Sequence, residues 1–326
     1  MAVHELDARP EHLFQGYFDA ATPAVLHVAS GDEVALACLP AGTAESLPPD
    51  GAGVREDHRA ALAALAADKG PGSHIMTGPV HVEGAEPGDA LRIDILEIRP
   101  IQTWGWTGVL PLRGALPEEF TDYERMHVRI DPEAGTCTLP WGLSLPLEPF
   151  FGILAVAPPA PWGRVGSNEP RAFGGNLDNK ELVAGTTLHL PVFERGALFS
   201  AGDGHGRQGD GEVCIAALET ALAGRFRLSV EKGAELAAPI VAPIVAPWAE
   251  TPEHLISMGF HESLDEAMRR AVREMVAMIV ARTGLSRNRA YMLASLAADL
   301  RITQVVDGEK GVHMMIRREW LRPAES

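Results

Sequence analysis

The sequence predicts a mainly β protein, a sandwich or barrel-like body followed by a smaller C-terminal α+β portion. Three observations carry that expectation. From Val25 to about Val245 the apolar residues fall in short runs bounded by glycine and proline, the pattern of strands and turns. The 33 glycines and 25 prolines mostly punctuate those runs, and prolines so placed block long helices. Past Glu250 the apolar period changes from two to that of an amphipathic helix.

In chain order, VLHVASGDEVALACL (Val25 to Leu39) and HIMTGPVHVEGAEPGDALRIDILEI (His74 to Ile98) supply the first strands. GTCTLPW (Gly135 to Trp141), FGILAVAPP (Phe151 to Pro159), GTTLHLPV (Gly185 to Val192) and RFRLSV (Arg225 to Val230) supply later ones. SGDEVALACL from Ser30 and PGDALRIDIL from Pro87 share a Gly-Asp turn feeding a strand, which is common turn chemistry more than a duplicated unit. APIVAPIVAP, Ala238 to Pro247, repeats proline at a fixed place. Proline donates no ladder hydrogen bond, so this reads as an edge strand or extended connector, and it divides a body of residues 1–247 from a C-terminal portion of residues 248–326.

In the C-terminal portion Ser263 and Glu266 match a capping box, and Leu264, Ala267, Met268, Ala271, Val272, Met275, Val276, Ile279 and Val280 keep helical spacing until Gly284. Ser286 caps a second helix through about Leu300, and RITQVV with GVHMMI reads as a hairpin around Asp307 and Gly308. The Met and Val stripe is core, and the whole piece is expected to be packing scaffold.

The 326 residues suffice for a large core, with 46% hydrophobic and 22% charged residues as in ordinary globular proteins. Asp and Glu number 44 against 28 Lys and Arg, a net charge of −16, which repels nucleic acid and anionic lipid surfaces and suits a neutral substrate or a cation. Cys38, Cys137 and Cys214 are odd in number and far apart, matching neither a disulfide framework nor a thiolate zinc site. The polar N-terminus and the lack of a bilayer-length apolar run lead us to expect a cytoplasmic protein.

One stretch is not explained by packing. GDGHGRQGDGE, Gly202 to Glu212, holds five glycines, two aspartates, a glutamate and a histidine. GHGRQG within it matches GxGxxG, but Asp203, Asp210 and Glu212 would oppose a pyrophosphate, and no strand-helix-strand unit follows. EF-hand spacing fails and HExxH does not occur. Asp203 and His205, two apart in extended backbone, share one side and form a carboxylate-imidazole pair suited to zinc and related ions, while carboxylates and carbonyls alone suit calcium. A self-hydrogen-bonded Asx-turn cluster accounts for the same residues without a metal.

The surrounding sequence resembles a known family. GGNLDNKELVAGTTLHLPVFERGALFSAGDGHGRQGDGEVCIAALET (Gly174 to Thr220) and TGPVHVEGAEPGDALRIDIL (Thr77 to Leu96) are similar to the signatures of acetamidases and formamidases, with weaker likeness in FFGILAVAPP and AYMLASLAADLRITQVV. The resemblance implies hydrolysis of short aliphatic amides to carboxylate and ammonia, a β-rich fold with an α+β portion, and a divalent metal, zinc or calcium, near the polar stretch. A small neutral amide is the expected partner, and a homo-oligomer the expected assembly. Gly206, Arg207 and Ile215 depart from the family pattern, and Arg207 beside the site would alter substrate size or charge preference.

Amide hydrolysis needs a nucleophile, an oxyanion stabiliser and an acid for the leaving ammonia. On that basis Asp203, His205 and Asp178 are expected metal ligands. Glu212 is the expected general base and later acid, with Asp210 and Glu83 as companion catalytic acids. Asn176, Trp104 and Trp106 are expected on the substrate side. Glu219 reads as a surface or sheet charge, and His27, His74, His81 and His189 as packing or pairing residues. Two alternatives stand beside this one: Cys214 as a thiol nucleophile within VCIAAL, and a non-catalytic calcium-stabilised binding protein.

Overall fold

A computed structural model describes residues 1–233 and 246–323, and in it the sheets do not close into a barrel. A nine-stranded sheet runs in the order Val3–Leu6, Asp32–Cys38, Leu222–Glu231, Ala90–Pro100, Thr187–Pro191, Trp248–Glu250, His254–His261, Lys310–Arg317 and Ala298–Gln304. A six-stranded sheet contains Gly174–Asn176, Phe150–Ala155, Phe199–His205, Ile75–Val82 and Leu13–Gln15 in that order, with Leu26–Val28 pairing in parallel to Ile75–Val82. A four-stranded sheet orders Ser144–Pro146, Thr136–Thr138, Glu124–Asp131 and Trp104–Val109. Each β-like run read from the sequence supplies one or two of these strands.

The large sheets stack as a sandwich because alternate residues of their strands are apolar and meet in one core. Val34, Leu36, Ile93, Ile95, Phe226 and Leu228 from the nine-stranded sheet pack with Met76, Val80, Phe151, Ile153, Phe199 and Ala201 from the other. Phe226 meets Phe151 and Phe199 at ring-centroid distances of 5.2 and 5.7 Å.

The nine-stranded sheet continues through residue 247, since Thr187–Pro191 pairs with Trp248–Glu250. The strands His254–His261 and Lys310–Arg317 are buried on both faces. Ile256, Met258 and Met315 enter the sandwich core, whereas Leu255, Val312, Met314 and Ile316 take the helix Leu264–Thr283 through Ala271, Met275 and Ile279. That helix ends on Gly284 in the left-handed region, φ +72°, whose N–H donates to Val280 O.

The capping box is absent. The Ser263 side chain makes no cap hydrogen bond, its N–H donates to His261 Nδ1, and the Glu266 carboxylate is taken by Arg269. Ser286 does cap the next helix, accepting from Arg289 N–H, but that helix, Arg287–Ala297, stops before Leu300. Ala298–Gln304 is already a strand paired with Lys310–Arg317, which makes the expected hairpin. Residues 238–245 of the Ala238 to Pro247 repeat lie outside the described residues.

Candidate active site

The first half of the polar stretch is strand. Phe199–His205 lies between Phe150–Ala155 and Ile75–Val82, and all seven of its residues are buried. Residues two apart on a strand share a face, and Asp203 Oδ2 sits 3.2 Å from His205 Nε2. Close backbone packing explains the intervening glycine: a Cβ on Gly204 would lie 2.5 Å from the Thr220 carbonyl oxygen. No helix follows the GHGRQG stretch in residues 206–221.

Five other segments converge on this pair. Asp178 follows the edge strand Gly174–Asn176, its N–H donates to Gly152 O at 3.1 Å, and its Oδ1 lies 3.9 Å from His205 Nδ1. Glu212 closes a turn whose Gly211 N–H donates to Thr303 O on the C-terminal hairpin. Glu219 bridges the backbones of His205 and Trp106, and its Oε1 is 3.4 Å from His205 Nε2. His74 approaches Asp203 Oδ2 at 3.9 Å while its Nδ1 meets Ser167 Oγ at 2.9 Å. Asp307 comes from the tip of the hairpin, its N–H donating to Gln304 Oε1.

The result is two overlapping triplets, Asp178-His205-Glu212 and Asp203-His205-Glu219, each with ligand atoms within 4.8 Å of one another. Gln208 orients the shared histidine, since its Oε1 contacts His205 Nδ1 at 3.0 Å while its Nε2 donates to Asp178 O. Gly152 leaves the space they need: a Cβ there would stand 2.6 Å from both Asp178 Oδ1 and Asp203 Oδ2. Asp178, Asp203 and Glu212 hold positive φ, +46°, +56° and +45°, a region that side-chain-bearing residues enter at a cost of about 1–3 kcal/mol each.

Burial, reinforced by neighbouring carboxylates, drives Asp178, Glu212 and Glu219 well above the ordinary carboxylate range. Burial raises Asp307 to about 7. Asp203 goes the other way, because His205 and His74 outweigh its burial and hold it well below that range.

The donor set fits a cation. Asp178 Oδ1 and Oδ2, Asp203 Oδ1, Glu219 Oε2 and Asp307 Oδ2 are buried without a hydrogen-bond partner. His205 Nε2 also lacks one, since its 3.2 Å approach to Asp203 is a close contact without hydrogen-bond alignment. Buried carboxylates require a proton or a positive charge.

The acetamidase/formamidase family profile matches residues 12–163 and 165–316. The chain belongs to the acetamidase/formamidase family. It is 29% identical over 198 residues to an acetamidase of Mycolicibacterium smegmatis, a match covering 43% of this chain and 49% of that protein. The chain thus spans about half the length of the curated relatives it matches. Its fold is similar to that of a predicted acetamidase/formamidase from Thermoanaerobacter tengcongensis, with TM-score 0.83, 27% identity and 98% of each chain covered. An acetamidase of Bacillus halodurans is similar at TM-score 0.81 and 29% identity, over 97% of this chain and 98% of that one.

Within this family member the structure brings Asp203, His205, Asp178 and Glu212 together, and it moves others away. Glu83 is exposed in a turn past Val82. The same strand reaches Asp203 near Met76, so about seven residues at 3.3 Å each separate Glu83 from the cluster. Asp210 points outward to Lys180, 3.0 Å away. Trp104 stacks on His58 and donates to Gly53 O, whereas Trp106 walls a cavity of about 380 Å³ together with His74 and Asp307. Asn176 is buried beside the cluster, donating to Asn168 O. Arg207 is engaged outside that cavity by Glu148 and Pro146 O.

Three residues escaped the sequence reading. Glu219 is buried rather than a surface charge, and its signal was an acid within the apolar run CIAALETALAG with no base nearby. Asp307 looked like turn chemistry, and His74 like packing. The C-terminal portion is therefore more than scaffold, because its hairpin carries Asp307 and binds the Gly211 backbone. Cys214 sits in a turn, not a strand, and its sulfur meets the Thr107 hydroxyl and Ala216 O.

Proposed function

We propose that this chain is a metal-assisted amidase that hydrolyses a linear amide C–N bond with a short acyl group, yielding a carboxylate and ammonia. The observation that carries the reading is the buried histidine shared by two carboxylate triplets, with oxygens lacking partners, in a member of this family. Asp203, His205 and Glu219 would hold a divalent cation, with Asp178 and Glu212 as the adjoining set. When bound, such an ion polarises a carbonyl and makes water acidic near neutral pH.

The chain's own residues then divide the work. Asp203 stays anionic between two histidines. Gln208 keeps His205 in one orientation, and Gly152 keeps the space between the carboxylates open. Trp106 provides an apolar wall for the acyl group. Asp307 lines the cavity and would be the acid that exchanges a proton with the reacting amide, and Glu212, from the adjoining triplet, would serve as the general base and later acid. In the balanced reaction the water oxygen bonds to the carbonyl carbon, the C–N bond breaks, and the departing nitrogen leaves with a proton.

His205→Ala tests this. The variant is expected to lose bound divalent metal by elemental analysis and ammonia release from formamide and acetamide, while its circular dichroism stays native. Full activity in that variant would remove the cluster from the reaction.

A further inference from the structure

The cavity beside Asp307 is larger than acetamide needs. Its volume of about 380 Å³ falls in the range that encloses a drug-sized ligand, and acetamide has only four non-hydrogen atoms. The charge along its lining also departs from a neutral-amide site, because Arg113 and Arg125 both face it.

Arg125 is held in place. Its guanidinium lies 4.7 Å from the Trp106 ring centroid and 5.2 Å from that of Tyr123, and Nη1 donates to the Glu45 carbonyl. Its Nε is buried with no acceptor. Neither Arg125 nor Arg113 forms an ion pair among the described residues, in a chain whose acids exceed its bases by 44 to 28. A stacked, planar guanidinium with a spare buried donor is preorganised for a carboxylate. Glu45 and Glu169 also line the cavity, but Glu45 is exposed and Glu169 half-buried, so neither offers an ammonium a comparably fixed partner.

We infer that the amide taken by this site carries a carboxylate at the far end of its acyl chain. It is a half-amide of a short dicarboxylic acid, its scissile group beside Trp106 and Asp307 and its carboxylate on Arg125 and Arg113. This rests on the amidase reading above. Water adds across the C–N bond, giving the dicarboxylate and ammonia, with no other reactant.

The test compares ammonia release by the metal-replete protein from succinamate, from neutral succinamide of nearly the same shape, from glycinamide and from asparagine. Succinamate is expected to exceed succinamide in kcat/KM about tenfold or more, as for a hydrogen bond to a charged group, and the excess should shrink as salt is added. Arg125→Gln and Arg113→Gln should each draw that ratio toward one, with Arg125→Lys keeping part of it. Arg113 is exposed, so its variant stays informative if Arg125→Gln does not fold. Equal rates for succinamide, or preference for glycinamide or asparagine, would overturn the inference and leave the amidase reading intact. If formamide or acetamide is hydrolysed and succinamate is not, the inference is overturned; if none of these amides is hydrolysed, the amidase reading fails and calorimetry with succinamate decides the pocket. Binding lost in Arg125→Gln supports the carboxylate site, and absent or unaltered binding refutes it.

Discussion

Two buried regions of this chain are made in opposite ways. Around Met275 and Ile279 the helix Leu264–Thr283 lies on the strands His254–His261 and Lys310–Arg317, its buried surface largely apolar, and the buried Ser257 hydroxyl donates to Ala271 O. Around His205 the interior is a set of carboxylates with oxygens lacking partners, on three backbones at positive φ. The first region stabilises the fold through close-packed apolar burial. The second leaves groups unsatisfied and strained, which persists because the surrounding sandwich enforces it. The contrast separates where the molecule gains stability from where it concentrates buried acids.

Truncation in the apolar region should break the comparison on its stability side. Ile279 is fully buried, so Ile279→Ala is expected to lower unfolding free energy by about 2–5 kcal/mol in urea denaturation, with amide turnover per folded molecule unchanged. A change in turnover would mean that the two regions are coupled.

The reciprocal change is Gly152→Ala. Its new Cβ would crowd Asp178 and Asp203 at 2.6 Å, so kcat/KM for amide hydrolysis should fall about 100-fold, the cost of roughly 1 Å of misplacement at a reacting centre. Ammonia release and metal content measured together check this. Wild-type values for both would show that the carboxylates can spread without consequence.

A buried histidine on the strand Lys310–Arg317 sharpens the comparison with pH. Burial lowers His313 to about 4, against the opposing charge of Asp210 and with help from Arg301 and Lys180, and its Nδ1 contacts Thr303 Oγ at 2.7 Å. Because the folded value lies below the ordinary 6.5, the neutral ring's contribution is complete above pH 6.5 and is lost as pH falls toward 4. At pH 5 that loss is about 2 kcal/mol. His313→Gln should remove this part of the acid sensitivity in denaturation curves at pH 7 and pH 5. An unchanged slope would assign the acid response to other groups.

Most of the architecture was legible because it depends on local pattern. Alternation in GTTLHLPV and RFRLSV, and helical spacing from Leu264 to Val280, are set by residues close in sequence. The capping box failed for a local reason too, since Arg269 competes for Glu266. Asp203 and His205 were legible together because two residues on one strand share a face. Glu83 was misplaced because membership in a motif carries no direction along the strand, and its end of Ile75–Val82 is the wrong one. Glu219, His74 and Asp307 were missed because each is chemically ordinary in its own segment and joins the candidate cluster only where distant segments cross.

By itself the sequence determined the strand and helix periods, the family and the Asp203-His205 pair, since these follow from neighbours along the chain and from motif. Only the tertiary structure decided that the C-terminal hairpin brings Asp307 to the cavity and that Gly152 makes room for the facing carboxylates. It alone brought Arg113 and Arg125 to the same cavity as Trp106. Those outcomes depend on sheet register and stacking, which set Asp307 about two hundred positions along the chain beside Trp106 and bring nearer segments face to face, and they are not encoded in any one stretch.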